Sequence, residues 1–223
     1  MDDQRDEISE ALAYQRQGAH AKAIKIFNPL VKAEPKNFRW LLLRAVSYQG
    51  GPRSQAERAV KELAKAISVR PSDVRPYLVA VPTLLQLQLY DTALAYASKA
   101  VELDPSPEAY ASRAHSVQLR YSQPSRVPAG APKTFQELHE GAVADIKKAI
   151  ELSEFPRSEW YFGLGKSYEA LGNEELSMEN YQMRPKLERE EMGSRYERTK
   201  NALAVWWQWL QTEELGPTPN PYP

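Results

Sequence analysis

The chain has 223 residues, 42 % of them hydrophobic and 26 % charged, the composition of one or two ordinary globular domains. Lys+Arg and Asp+Glu both count 29 and no cysteine is present. This argues against a dedicated nucleic-acid binder and excludes disulfides, thiolate metal sites and a thiol nucleophile. The acidic start, Met1-Asp2-Asp3-Gln4-Arg5-Asp6-Glu7, does not read as a signal peptide. No apolar run approaches the roughly 18 residues of a membrane span, so a cytoplasmic protein without a span is expected.

Helix-like stretches follow one another along the chain, each long one closed by a proline: Pro35, Pro71, Pro105 and Pro156. A proline suits such an end because it cannot continue a helix and pushes the residue before it out of helical geometry. The prolines recur about every 34 residues, with half a period more before Pro156, which predicts helical-hairpin repeats. Unit one carries Ala11, Tyr14, Gly18, Ala23 and Phe27; unit two carries Ala45, Tyr48, Ala59, Leu63 and Ala66. Unit three has Tyr77, Val81, Ala93, Ala100 and Leu103, and unit four Tyr110, Ala114, Ala142, Ile146 and Ala149. Unit five is the clearest, with Tyr161, Leu164, Gly165, Tyr168, Leu171, Gly172, Asn173 and Tyr181. Small residues let paired helices approach, and tyrosines and leucines fill the space between successive hairpins.

In these residues the chain resembles the tetratricopeptide-repeat family over roughly residues 4–191, about five repeats. The resemblance implies an all-α right-handed superhelix, a solenoid of antiparallel helical hairpins. Two departures stand out: a longer turn at Gly50-Gly51-Pro52-Arg53-Ser54, and an insertion near 122–137 containing Pro124, Pro128, Gly130 and Pro132, read as an irregular loop. Pro185 is expected to kink or restart a helix. Residues 192–215 are expected to form a C-terminal capping helix that covers the last hydrophobic face, followed by a Pro-rich tail at 216–223.

Catalytic motifs are scarce. Gly165-Lys166-Ser167 lacks the first glycine of a phosphate-binding loop, since Trp160 stands there. His139-Glu140 lacks the second histidine of a zinc-protease helix, since Val143 stands there. No catalytic residue, metal site or cofactor is therefore expected.

The family lines a concave groove with the first helix of each hairpin. Carried across, the resemblance places Arg5, Ile8 and Leu12 there, then Arg39, Leu42 and Val46, then Arg75, Leu78, Pro82 and Leu85. Repeat four contributes Glu108, Ala111 and His115, and repeat five Glu159, Phe162 and Lys166. The first three repeats thus present an apolar floor with an arginine at each helix start, a pattern suited to a partner with apolar anchors and to an acidic one. At the positions of the family's carboxylate clamp stand Ile8, Leu12, Leu43, Arg75 and Val79; only Arg75 suits a clamp, which argues against a receptor for acidic chaperone tails. Trp206, Trp207, Trp209 and Leu210 belong to an apolar arc about twice as wide as a one-sided stripe. They are candidates for an oligomer interface, with a well-buried cap as the equal alternative.

The reading is a non-catalytic protein-interaction module, an adaptor or chaperone-like scaffold, that takes a peptide or helical segment in its groove. The alternatives are a structural subunit that oligomerises through the Trp-rich helix, and a small-ligand binder or enzyme using His115 and Lys166.

Overall fold

The computed structural model describes residues 2–49, 51–154, 156–191 and 208, and of residues 2–6, 184–186 and 188–191 the backbone alone. Among the described residues there are ten α-helices and no strand. Contacts divide the chain into two compact units that meet in sequence between Leu89 and Tyr90. The first holds α1 (Asp2–Arg16), α2 (His20–Ala33), α3 (Phe38–Tyr48), α4 (Arg53–Val69) and α5 (Arg75–Gln86), each packed on the next. The second holds α6 (Tyr90–Leu103), α7 (Pro107–Arg120), α8 (Phe135–Leu152), α9 (Ser158–Ala170) and α10 (Glu174–Glu191), again packed in succession, with α7 also against α9.

The small residues act as the sequence implies. Ala11, Ala23, Ala45, Ala59 and Ala66 are fully buried in the first unit, as are Ala93, Ala100, Ala114 and Ala149 in the second. Gly165 shows why no larger residue fits at the tightest approach: a Cβ there would meet the Tyr181 ring at 2.6 Å. Phe27, Leu41, Leu63 and Leu84 fill the remaining space of the first unit, and Ile146, Trp160 and Leu164 that of the second.

Three turns that follow a first helix share one backbone solution. In each, a residue with positive φ follows the first helix: Gly18 at 71°, Gln88 at 61° and Gly172 at 74°. The next amide then donates five residues back, Ala19 to Tyr14, Leu89 to Leu84 and Asn173 to Tyr168, which is the Schellman arrangement. Gln88 occupies a left-handed conformation that glycine adopts without steric cost. Gln88→Gly is therefore expected to stabilise the protein by about 0.5–1 kcal/mol, read as a higher midpoint in urea.

Helix starts follow side-chain chemistry. Asn37 Oδ1 accepts from the amides of Arg39 and Trp40. Thr134 and Glu137 form a capping box that starts α8 at Phe135. The insertion before it is consequently shorter than the 122–137 of the sequence reading, because Phe135 to Glu137 already belong to the helix. Within it, Pro124–Arg126 form a single 3₁₀ turn, held by Arg120 Nη1 donating to the Arg126 carbonyl at 3.2 Å. Pro82 lies exposed inside α5, which continues to Gln86. Pro185 restarts nothing: α10 passes through it to Glu191. The expected capping helix at 192–215 and the tail at 216–223 lie outside the described residues, apart from Gln208.

A polar device recurs between successive first helices. Gln15 Nε2 donates to the Leu43 carbonyl at 2.6 Å and to Ser47 Oγ at 2.5 Å. Gln49 repeats this with the Val79 carbonyl at 2.5 Å and Thr83 Oγ1 at 3.0 Å. Gln118 does so with the Gly163 carbonyl at 2.7 Å and Ser167 Oγ at 2.8 Å. Each amide fixes the register of one first helix on the next while satisfying buried acceptors. Gln118→Leu is expected to cost about 1–3 kcal/mol, since buried polar groups of α9 lose their donor; thermal melting monitored by circular dichroism checks it.

Candidate partner-binding surface

In the first unit, the residues assigned to the groove form stripes at helical spacing. Arg39, Leu42 and Val46 stand at i, i+3 and i+7 of α3, and Arg75, Leu78 and Leu85 at i, i+3 and i+10 of α5. Ile8 and Leu12 of α1 are half-buried. The floor itself is dry: Leu42 is 0 % exposed, Leu78 6 %, and Val46 and Leu85 are also buried. Of the eleven residues of α3, nine are buried, Arg39 and Arg44 being the two that are not.

The arginine ladder separates into three different situations. The side chain of Arg5 lies outside the described residues. Arg39 is half-buried, with its guanidinium carbon 5.3 Å from the centre of the Trp40 ring. Arg75 is 1 % exposed and is held by Asp73, its Nε donating to Oδ1 at 2.8 Å and its Nη2 to Oδ2 at 2.5 Å. Two parallel bonds to a carboxylate define that guanidinium's geometry. Arg75 also sits 5.1 Å from the Phe38 ring of α3, so it ties α5 to its neighbour.

In the second unit, His115 of α7 and Lys166 of α9 are exposed. Lys166 Nζ lies 5.4 Å from the Phe162 ring, and that ring lies 5.5 Å from Tyr181 of α10. Cation, aromatic face and phenol thus form one accessible patch across α9 and α10. Glu108, in the first turn of α7, is buried, and neither carboxylate oxygen makes a hydrogen bond of good geometry among the described residues. Burial pushes its pKa up to about 7, against the pull of its own amide and of the Arg157 guanidinium and with a small push from Asp104. Among the described residues no group of three His, Asp or Glu is placed to hold a metal ion, and no helix is long and apolar enough to cross a membrane. Trp206, Trp207, Trp209 and Leu210 lie outside the described residues.

Sequence reading did not find the glutamine links. Their signal was present in Gln15 and Gln49, one repeat period apart, each followed by a Ser or Thr about one period later. It also did not foresee that Glu108 would be buried, because one charged residue in a first helical turn ordinarily faces water.

Paired helices, recurring turns and recurring inter-helix links define a helical-repeat protein with the tetratricopeptide fold. No family model and no curated protein matches the sequence. Solved structures of MamA do match the fold. MamA from Desulfovibrio magneticus RS-1, from residue 41 to its end, is 16 % identical with a TM-score of 0.67, over 86 % of this chain and 98 % of that one. A second MamA crystal structure is also 16 % identical, with a TM-score of 0.63, over 81 % of this chain and 95 % of that one.

Proposed function

We propose that the protein is a non-catalytic interaction scaffold, adaptor or chaperone-like, that binds a peptide or helical segment of a protein partner on the faces of its first helices. The supporting observation is the spacing of Ile8 with Leu12 on α1 and of Phe162 with Lys166 on α9, each pair at i and i+4 on a first helix, while Leu42, Val46, Leu78 and Leu85 are buried beneath. An amphipathic partner helix presents matching anchors at i, i+3, i+4 and i+7. The half-buried Ile8 and Leu12 and the exposed His115, Phe162 and Lys166 are the accessible members of the set. The fold shared with MamA agrees with this reading, although fold alone does not define function.

The test is site-specific photo-crosslinking in cells. A photoreactive residue at Leu12 or Phe162 is expected to capture one polypeptide partner, identified by mass spectrometry. The same residue at exposed Lys25 of α2 or Ala144 of α8 is expected not to capture it. Capture of the chain's own second copy alone would favour a self-associating subunit. No adduct, or equal adducts from all four positions, would overturn the groove reading.

A further inference from the structure

A cleft of about 480 Å³ opens beside α3 and α4, lined by Arg44 and Tyr48 of α3 and by Arg58, Lys61, Glu62 and Lys65 of α4. Four cations therefore face one carboxylate. That carboxylate is fully engaged: Glu62 Oε2 accepts from Arg44 Nη2 at 2.7 Å, and Oε1 from Lys65 Nζ at 3.2 Å. Arg44 also donates from Nη1 to Asn28 at 3.3 Å, while its buried Nε has no acceptor among the described residues. Arg58 and Lys61 are exposed and form no ion pair among the described residues.

The fold does not require this charge. Repeat four contains the same internal pair, Arg113 to Asp145 at 2.6 Å. Yet Gly141, Ala144 and Lys148 stand there at the places of Arg58, Lys61 and Lys65. Cations at i, i+3 and i+7 of one helix repel each other and weaken it, so the stripe on α4 opposes helix stability where the parallel repeat avoids the cost. Seven residues of helix span about 10 Å, the reach of two or three residues of extended chain.

We propose that this cleft binds an oxyanionic segment of a partner polypeptide, carrying either clustered Asp/Glu carboxylates or phosphorylated side chains. Arg44, Arg58, Lys61 and Lys65 supply the charge, and Tyr48 and Ala64 form an apolar wall for a flanking side chain. A peptide fits better than a nucleic acid because the whole chain is electrically neutral and one short stripe cannot track a phosphate backbone. The site is separate from the groove surface and stands without it.

The experiment is fluorescence anisotropy with three labelled peptides of equal length: Asp/Glu-rich, phosphoserine-containing, and a neutral Asn/Gln counterpart. A single-stranded oligonucleotide serves as a fourth probe. At least one anionic peptide is expected to bind about tenfold more tightly than the neutral one, and the stronger of the two names the source of the oxyanion. Arg58→Glu/Lys61→Glu is expected to lose about tenfold of that affinity with an unchanged thermal melt, because both side chains are exposed. Lys25→Glu/Lys32→Glu on α2 makes the same change in net charge and is expected to stay within about twofold. Absence of anionic-peptide binding, equal binding of the neutral peptide, equal loss in both variants, or preference for the oligonucleotide would overturn the proposal.

Discussion

Leu42→Arg is expected to unfold the first unit, with a loss of at least about 4 kcal/mol. Leu42 is 0 % exposed in the middle of α3, between the fully buried Leu41 and Leu43. Removing the buried leucine forfeits about 2–3 kcal/mol of transfer free energy. Placing a guanidinium in the same volume, with no carboxylate built to receive it, costs several kcal/mol more. Set against a typical total of about 5–15 kcal/mol, that sum threatens the fold. Leu42→Met keeps the volume and is expected to cost less than about 1.5 kcal/mol. Urea denaturation of the three proteins, followed by circular dichroism, measures both values. If Leu42→Arg instead melts within a few degrees of wild type, the floor is open to water in solution and its apolar character serves a partner directly. The contrast with Arg75 sharpens the point. A guanidinium is tolerated in the same layer where Asp73 stands two residues away to receive it, and position 42 has no such acid within its own helical turn.

The helices and their pairing were legible because they rest on residues that repeat. Alanines recur where two backbones must approach, so one period of about 34 residues exposes them. Departures from the period were harder. α8 starts at Phe135, inside the stretch 122–137 read as an insertion, because prolines draw attention while a Thr134–Glu137 capping box is quiet. Of the two expectations for Pro185, a restart is excluded, because proline removes one hydrogen bond and α10 nevertheless runs through to Glu191. The candidate surface was legible only as a set of stripes. Spacing states that Leu42 and Val46 share a side of α3. It does not state whether that side meets water, since exposure depends on every other segment that can reach it. Arg39 and Arg75 looked equivalent for the same reason. Two residues upstream of Arg75 stands Asp73, and two upstream of Arg39 stands Asn37, which caps the helix. That local difference converts one arginine into a buried ion pair and leaves the other half-buried.

Glu108 is expected to take about 3 kcal/mol from stability as pH rises from about 4.5 to about 7, a loss that Glu108→Gln removes. In the unfolded chain Glu108 has an ordinary carboxyl pKa near 4.5, and in the folded chain burial pushes it up to about 7. Below about 4.5 both states hold the proton and no charge has to be buried. Between the two values the unfolded chain has released the proton and the folded chain keeps it, so the folded state binds more protons and stability declines with pH. Above about 7 both states are ionised and the full cost of the buried carboxylate is present. The difference between the two pKa values sets that cost at about 3 kcal/mol. The glutamine variant keeps the shape of the protonated acid and has no charge to bury. Wild type and Glu108→Gln are therefore expected to match near pH 4.5 and to diverge steadily to pH 8, with the variant the more stable. Urea midpoints at four pH values give the difference curve, in which the other titrating groups cancel. Arg157→Gln is expected to widen the divergence, because Arg157 is the cation that favours the ionised form. A flat difference between pH 5 and 8 would mean that water reaches Glu108 at the start of α7. That result would open the first turn of α7 to a partner, since the same carboxylate would then stand at the surface with both oxygens free to accept a donor.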